Sequence, residues 1–296
     1  MPKFGVSIYS ISRLIENGTM TPVQGVEWLC ENGVEVIEIV PFGIDLLADA
    51  SLAGRLKNAA AKYGVPIDNY SVNADFVKET EEEFNAEIDR AKKHLDAAAE
   101  LGIKTFRCDC AGFRRPIEMN TIENFVKELP GMARAYEALC AYAKKYNITI
   151  LNENHGFHAN GCDRVRLLFK NVKAENFGHQ LDVGNYACVD DIPEIATKKM
   201  LPFATTVHMK DFYIRQNDPG DATQFDCSGS WFRSTGGRYL RGSILGQGDM
   251  NIPEILKVIK ATGYDGNFFI EFEGMEDCLY GTKVSLDNLK RIYKEA

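Results

Sequence analysis

The feature that most constrains the fold of this chain is a regular alternation of short β-rich runs with longer amphipathic stretches. Eight such runs occur along the 296 residues, and each is followed by a stretch with helical periodicity. The runs are residues 4–9, 34–40, 66–72, 104–109, 149–153, 178–183, 206–210 and 267–272. Alternating β and α elements predict a parallel sheet, and eight such units predict a closed (β/α)8 barrel, the TIM barrel.

The helix boundaries carry signals of their own. Thr21-Pro22 places a proline at the first position of a helix, and Thr80 begins a capping box with Glu83. Pro130 predicts a break in the amphipathic stretch 120–146. A doubly wound open sheet is the structural alternative, but it usually shows a glycine-rich fingerprint after its first strand, and residues 7–10 contain no glycine. We therefore expect residues 1–296 to form a single TIM-barrel domain.

One segment interrupts the alternation. Residues 211–250, after the seventh strand, contain seven glycines and no convincing helix or strand pattern. Loops that follow barrel strands carry the active site, and long loops in compact domains are usually functional. We therefore expect a long loop at about 211–250 that covers a substrate. A disordered surface insertion is the alternative, and the aromatic and arginine content of the segment disfavours it.

Composition excludes several classes of protein. Lys and Arg number 34 and Asp and Glu 42, so the net charge is −8, and a chain without a basic block is a poor candidate for binding nucleic acid or an anionic membrane. No apolar run approaches the roughly 20 residues of a membrane span, and residues 1–10 lack the apolar core of a signal peptide. The eight cysteines have no CxxC spacing, which is typical of reduced thiols in the cytoplasm. No apolar stripe decides whether the chain forms a homo-oligomer.

Four acidic or imidazole residues lie at the carboxyl ends of the fifth to eighth strands. They are Glu153, Asp182, His208 and Glu271. A single acidic residue at a strand end is more often a helix cap or an ion-pair partner, but the ends of neighbouring barrel strands converge on one face. Three carboxylates and one imidazole suit a divalent ion such as Mn²⁺, Mg²⁺, Co²⁺ or Zn²⁺, whereas a thiolate site would need cysteines. The sequence therefore predicts a site for one divalent metal ion.

The motifs around these residues resemble a known family. The motifs are Glu153-Asn-His-Gly156, Leu181-Asp-Val-Gly-Asn185, Val207-His-Met-Lys-Asp211, Gly246-Gln-Gly248 and Gly263-Tyr-Asp-Gly266 with Glu271. They resemble the sugar phosphate isomerase/epimerase family of xylose isomerase-like TIM barrels, over essentially the whole chain and most strongly over residues 149–273. The resemblance implies that Glu153, Asp182, His208 and Glu271 hold the metal ion. It also implies that Glu153 and Glu271 act as the acid/base pair.

The chemistry of such a site indicates a reaction class. A divalent ion that bridges a carbonyl oxygen and the adjacent hydroxyl acidifies the neighbouring C–H and stabilises an enediolate, and two carboxylates can then remove and return the proton. We therefore expect a metal-dependent isomerase or epimerase of carbohydrate metabolism that acts on a small sugar or related hydroxy-carbonyl compound. A metal-dependent dehydratase (lyase) uses the same ligands and stays open, as does a non-catalytic sugar-binding barrel, which the intact quartet disfavours. A zinc-dependent AP endonuclease shares the barrel, but only five histidines and no basic groove are found here.

Four further residues are candidates for substrate binding. His155 could face the same side as Glu153, either to contact substrate or to support a ligand. Asn185 stands where ketose 3-epimerases of this superfamily often have histidine, and an amide can hydrogen-bond a hydroxyl but cannot act as an acid or base. Lys210 shares the strand face of His208, and its alternative role is an ion pair with Glu271 or Glu273. Arg238, in the 211–250 segment, could clamp a phosphate or carboxylate. We interpret Arg107 and Asp109 as a buried pair rather than substrate contacts.

Overall fold

The structure is a computed structural model that describes residues 1–113, 115–223 and 230–296. Its strands are β1 (Phe4–Ser7), β2 (Ile37–Ile39), β3 (Ile67–Val72), β4 (Thr105–Cys108), β5 (Thr149–Glu153), β6 (Phe177–Asp182), β7 (Ala204–Met209), β8 (Asp211–Arg215), β9 (Phe232–Arg233), β10 (Tyr239–Ser243) and β11 (Asn267–Ile270). Strands β1 to β7 and β11 form a closed barrel in which every pair is parallel and β11 lies between β7 and β1. The predicted (β/α)8 barrel is confirmed, and the eighth barrel strand is β11.

Helices follow the barrel strands as the alternation predicts. They are α1 (Ser12–Glu16), α2 (Pro22–Glu31), α3 (Leu52–Ala61), α4 (Glu81–Ala99), α5 (Ile122–Ala143), α6 (Cys162–Asn171), α7 (Asn185–Cys188), α8 (Pro193–Met200), α9 (Ile252–Ala261) and α10 (Cys278–Glu295). Thr21 and Thr80 form the capping boxes that start α2 and α4. In the described part of the chain, no helix combines the length and the apolar character needed to cross a membrane.

Helix α5 does not break at Pro130, so that prediction is wrong. The helix runs without interruption from Ile122 to Ala143 with Pro130 inside it. A proline removes one backbone hydrogen bond, but the apolar face of α5 is buried on both sides of it, through Leu129 before the proline and Met132 after it. Packing of this face therefore outweighs the local cost of the proline.

The 211–250 segment is not the structureless loop expected from its sequence. Strands β8, β10 and β9 form a three-stranded antiparallel sheet in that order, with Tyr213 opposite Arg241. Phe212 of β8 and Leu240 of β10 are buried and belong to the hydrophobic core, which attaches the sheet to the barrel. Residues 224–229, which belong to the same predicted loop, lie outside the described residues.

Asp211 fastens the two ends of this segment together. Its buried carboxylate accepts hydrogen bonds from the backbone N–H groups of Phe212, Gly246, Gly248 and Met250, at donor–acceptor distances of 2.8, 2.9, 3.0 and 3.2 Å. A Cβ atom at position 248 would overlap the Asp211 carboxylate, so this close approach requires glycine. The motif residues Asp211, Gly246 and Gly248 are thus joined in one structural clasp beside the end of β7.

Candidate metal centre

The barrel brings together the four side chains predicted at the ends of successive strands. Each of Glu153, Asp182, His208 and Glu271 offers one potential ligand atom, and these atoms all lie within 4.8 Å of one another. The Nδ1 atom of His208 lies 3.6 Å from oxygens of Glu153 and Glu271 and 3.9 Å from Oδ2 of Asp182. Glu153, Asp182 and His208 are buried, and Glu271 is only partly accessible at the floor of a cavity.

Strand register explains this convergence. Asp182 on β6 lies directly opposite His208 on β7, and Phe269 on β11 lies on the other side of His208. Glu271 immediately follows β11, where its N–H donates to the carbonyl of Met209. The turn after β6 fixes Asp182, because its Oδ1 accepts the backbone N–H groups of the two residues 184 and 185, each at 2.8 Å.

His208 carries the most direct sign that this site can hold a cation. Its ring is 1% exposed, and its Nδ1 atom has no hydrogen-bond partner among the residues that the structure describes. The other ring nitrogen, Nε2, lies 3.0 Å from Oε2 of Glu38 on β2. A carboxylate oxygen only accepts, so this contact favours a hydrogen on Nε2, and Nδ1 could then present its lone pair to a metal. The buried cluster of three carboxylates and one imidazole can therefore bind a divalent ion.

Lys210 lies against the same carboxylates. Its ammonium is 2.5 Å from Oε2 of Glu271, 3.2 Å from Oδ2 of Asp182 and 3.3 Å from Oε1 of Glu273. It also donates to Oδ1 of Asn185 at 3.3 Å. Burial alone would lower the pKa of Lys210, but the carboxylates raise it well above its ordinary value. Both ion pairs considered from the sequence, with Glu271 and with Glu273, are present.

A series of charged side chains contacts Glu153 on the side away from Lys210. Arg107 on β4 forms ion pairs of 2.7 Å with Asp109 and 2.5 Å with Oε2 of Glu153. The buried Arg107–Asp109 pair interpreted from the sequence is confirmed. Asp109 in turn lies 3.2 Å from Nδ1 of His155, whose ring stacks on Phe113 with a centroid separation of 5.1 Å. His155 is thereby fixed at the cavity wall.

The two glutamates differ in their electrostatic surroundings. Burial raises the pKa of Glu153 to about 7, although Arg107 opposes the shift. Burial acts in the same direction on Glu271, but Lys210 and His208 hold the pKa of that carboxyl well below its ordinary range. The two carboxylates on either side of His208 are therefore chemically unlike.

The cavity above these residues has a volume of about 560 Å³. This size falls within the range of small-molecule sites. Glu153, His208 and Glu271 contribute to its floor, and His155 and Phe113 to one side. The wall opposite contains aromatic and hydroxyl or amide side chains, namely Tyr9, Phe42, Ser10, Ser12, Ser71 and Asn73. Asn185 and Lys210 line a smaller adjoining recess together with Phe212 and Phe232 of the antiparallel sheet.

A family model for the xylose isomerase-like TIM barrel matches residues 26–295. The chain belongs to the xylose isomerase-like TIM barrel family. No curated protein matches the chain. Solved structures that match it share its fold at low sequence identity.

Three of these solved structures indicate the breadth of the family. A probable 3-DHS dehydratase involved in petrobactin synthesis from Bacillus anthracis has a TM-score of 0.75 at 17% identity, covering 97% of this chain and 98% of its own. D-Psicose 3-epimerase with D-tagatose from Clostridium cellulolyticum H10 has a TM-score of 0.71 at 12% identity, covering 93% and 94%. A xylose isomerase-like TIM barrel protein from Mycobacterium smegmatis in complex with magnesium has a TM-score of 0.67 at 18% identity, covering 92% and 89%. The chain therefore has an epimerase and a probable dehydratase among its structural neighbours.

One predicted site residue is placed elsewhere. Arg238 lies outside the set of described residues that line the cavity and its adjoining recess. Its Nε donates to Oδ1 of Asp190 at 2.6 Å, and Nη2 reaches the carbonyl of Ala187. The guanidinium therefore joins the antiparallel sheet to the segment after α7 and is not a phosphate or carboxylate clamp in this cavity.

Sequence reasoning missed Glu38. This residue is 0% exposed, lies on β2 inside the barrel and contacts the ring of His208. A signal was available, because Glu38 interrupts the apolar run Val36-Ile37-Glu38-Ile39 and a carboxylate is rarely buried unless it has a partner.

Proposed function

We propose that this protein is a divalent-metal-dependent isomerase or epimerase of a small sugar or related hydroxy-carbonyl compound. The observation that carries the proposal is the cluster around His208 Nδ1, which lies at the floor of a cavity of about 560 Å³. Glu153, Asp182, His208 and Glu271 would hold the ion, and Mn²⁺, Mg²⁺, Co²⁺ and Zn²⁺ all suit this donor set.

The proposed reaction needs two groups that move a proton at one carbon atom. A bound cation would polarise a substrate carbonyl and so acidify the adjacent C–H. Glu153 and Glu271 lie on either side of His208, and one carboxylate would remove the proton while the other returns it. Return to the opposite face of the same carbon gives an epimer, and return to the neighbouring carbon gives an isomer.

Three further side chains would contact the substrate. His155 lines the cavity and is oriented by Asp109, so it can hydrogen-bond a hydroxyl above Glu153. Asn185 and Lys210 present polar atoms from the adjoining recess. These hydrogen bonds would orient a polyol against the two carboxylates, and proton removal depends on that orientation.

The first test is elemental analysis of the purified protein and of the Asp182→Ala and His208→Ala variants. We expect about one equivalent of a divalent ion in the wild type and its loss in both variants. If the wild type binds none of the four ions, the metal-dependent reaction is wrong and a sugar-binding barrel becomes the better interpretation.

The second test assigns the acid/base pair. Wild type, Glu153→Gln and Glu271→Gln are incubated with candidate ketoses in deuterated water, and label at the carbon next to the carbonyl is measured. Each variant should lose about 10²- to 10⁴-fold in exchange rate. Glu128→Gln is the matched control, because Glu128 pairs with Arg115 away from the cluster, and it should exchange normally. Normal exchange in both site variants contradicts the assignment, and release of water instead of epimer or isomer indicates a dehydratase.

Two predictions about the protein's context accompany this proposal. We expect the protein in the cytoplasm, and cell fractionation would test this location. We also propose that it can form a homo-oligomer, and analytical ultracentrifugation would test this by measuring its mass in solution.

A further inference from the structure

The interior of the barrel below the metal centre is polar. Glu38 on β2, Asn69 on β3 and Gln180 on β6 are each 0% exposed. The Nδ2 atom of Asn69 donates to Oε2 of Glu38 and, at 2.6 Å, to Oε1 of Gln180. Oδ1 of Asn69 accepts from the hydroxyl of Thr105 at 2.8 Å. Four strands thus contribute to a hydrogen-bonded network that ends on the ring of His208.

Two neighbours of His208 favour opposite arrangements of its ring hydrogen. Oε2 of Glu38 lies 3.0 Å from Nε2, and a carboxylate oxygen can only accept. Nε2 of Gln180 lies 2.9 Å from the same ring atom, and an amide nitrogen can only donate. Glu38 therefore favours a hydrogen on Nε2, whereas Gln180 favours a hydrogen on Nδ1.

The charge on Glu38 decides between these arrangements. Hydrogen bonds to a charged acceptor are about twice as strong as those between neutral groups. A carboxylate facing a bare ring nitrogen would also be repelled. With a cation bound among Glu153, Asp182 and Glu271, Nδ1 would present its lone pair to that cation, and the hydrogen would stay on Nε2 beside Glu38.

We propose that Glu38 is a positioning residue that sets the tautomer of His208 and so makes Nδ1 the metal-binding atom. This inference rests on the proposed function, because the tautomer matters only if a cation binds at the cluster. Glu38 lies behind the ring on β2 and would act only through His208. Its removal should therefore weaken metal binding without removing a ligand.

The test compares Zn²⁺ binding by metal-stripped wild type, Glu38→Gln and Asp68→Asn in isothermal titration calorimetry. We expect Glu38→Gln to raise the dissociation constant about 10- to 100-fold, since the neutral amide no longer fixes the Nε2 hydrogen. Asp68→Asn is the matched control: this carboxylate is also buried in the barrel, but it pairs with Asn267 and Lys104 at the start of the strands. Its dissociation constant should equal that of the wild type.

A second measurement covers the case in which Glu38→Gln does not fold. In the ¹⁵N spectrum of histidine-labelled, Zn²⁺-loaded wild type, His208 should be coordinated through Nδ1 and protonated at Nε2. Coordination through Nε2, or an unchanged dissociation constant in Glu38→Gln, overturns the inference and leaves the metal site intact. If the wild type binds no divalent ion, the proposed function fails first, so the two failures are distinguishable.

Discussion

The contribution of the Asp211 carboxylate to the stability of the 211–250 segment can be tested by replacing one of its two oxygens. In Asp211→Asn an amide NH₂ replaces one carboxylate oxygen, and each oxygen of Asp211 accepts two backbone N–H groups. Two hydrogen bonds to a charged group are therefore replaced by contacts between donors. At about 1.5–3 kcal/mol for each such bond, the free energy of unfolding should fall by about 3–6 kcal/mol.

The assay is thermal unfolding of Asp211→Asn beside a matched control. The unfolding entropy of about 2.1 cal/mol/K per residue, applied to 296 residues, converts this loss into a Tm about 5–10 °C below the wild type. Asp249→Asn is the control, because Asp249 belongs to the same segment but its side chain is 43% exposed. Its loss should stay below about 1 kcal/mol.

Hydrogen exchange locates the effect. The amides of Gly246, Gly248 and Met250 should exchange faster in Asp211→Asn and at the wild-type rate in Asp249→Asn. A Tm for Asp211→Asn equal to that of Asp249→Asn would refute the view that the carboxylate fastens this segment.

Three further predictions concern the metal, pH and a helix cap. A divalent cation at a concentration 100 times its dissociation constant should stabilise the fold by about 2.7 kcal/mol and raise Tm by about 4 °C. The Tm of His208→Ala should not change when the cation is added. An unchanged Tm of the wild type would contradict a metal site. Burial lowers the pKa of His179 from 6.5 to about 4, opposed by its bond to the Asn152 carbonyl, so the unfolded chain binds this proton first as the pH falls. The free energy of unfolding of the wild type should therefore fall by about 2 kcal/mol between pH 7 and pH 5 through this group. Urea unfolding at both pH values should show a smaller fall in His179→Gln. An equal fall in the two proteins would contradict this role of His179. Thr80→Ala removes the cap of α4 and should cost about 1 kcal/mol by the same measurement, whereas Thr19→Ala, outside any helix, should cost less.

The barrel and the convergence of its four strand-end residues could be predicted from the sequence. Parallel barrel strands are covered on both faces, so they appear as short apolar runs, and the end of each run marks the same face of the barrel. The run before Glu153 ends at the strand end that the structure gives, and the run around Asp182 is displaced by only one residue. Local pattern and overall topology therefore agree at these positions.

The antiparallel sheet and the position of Arg238 depend on contacts that no local pattern contains. Strand β9 is only two residues long, and β8 pairs with β10 across a segment rich in glycine. The partner of Arg238 is Asp190, which lies 48 residues earlier in the chain. Which carboxylate a guanidinium meets is decided by the assembled fold, since a long flexible side chain has many alternatives within reach.

The four strand-end side chains come from adjacent strands, β5, β6, β7 and β11, and thus from one arc of the barrel wall. Tyr9, Phe42, Ser71 and Asn73 line the same cavity from the opposite arc, on or after β1, β2 and β3. Side chains of this opposite arc could contact a bound molecule without being ligands of the proposed metal ion. Substitutions in the β1–β3 arc could therefore change which molecule binds while leaving the four proposed ligands in place. For the same reason, a library directed at these four positions of the β1–β3 arc is the economical starting point for redesigning selectivity.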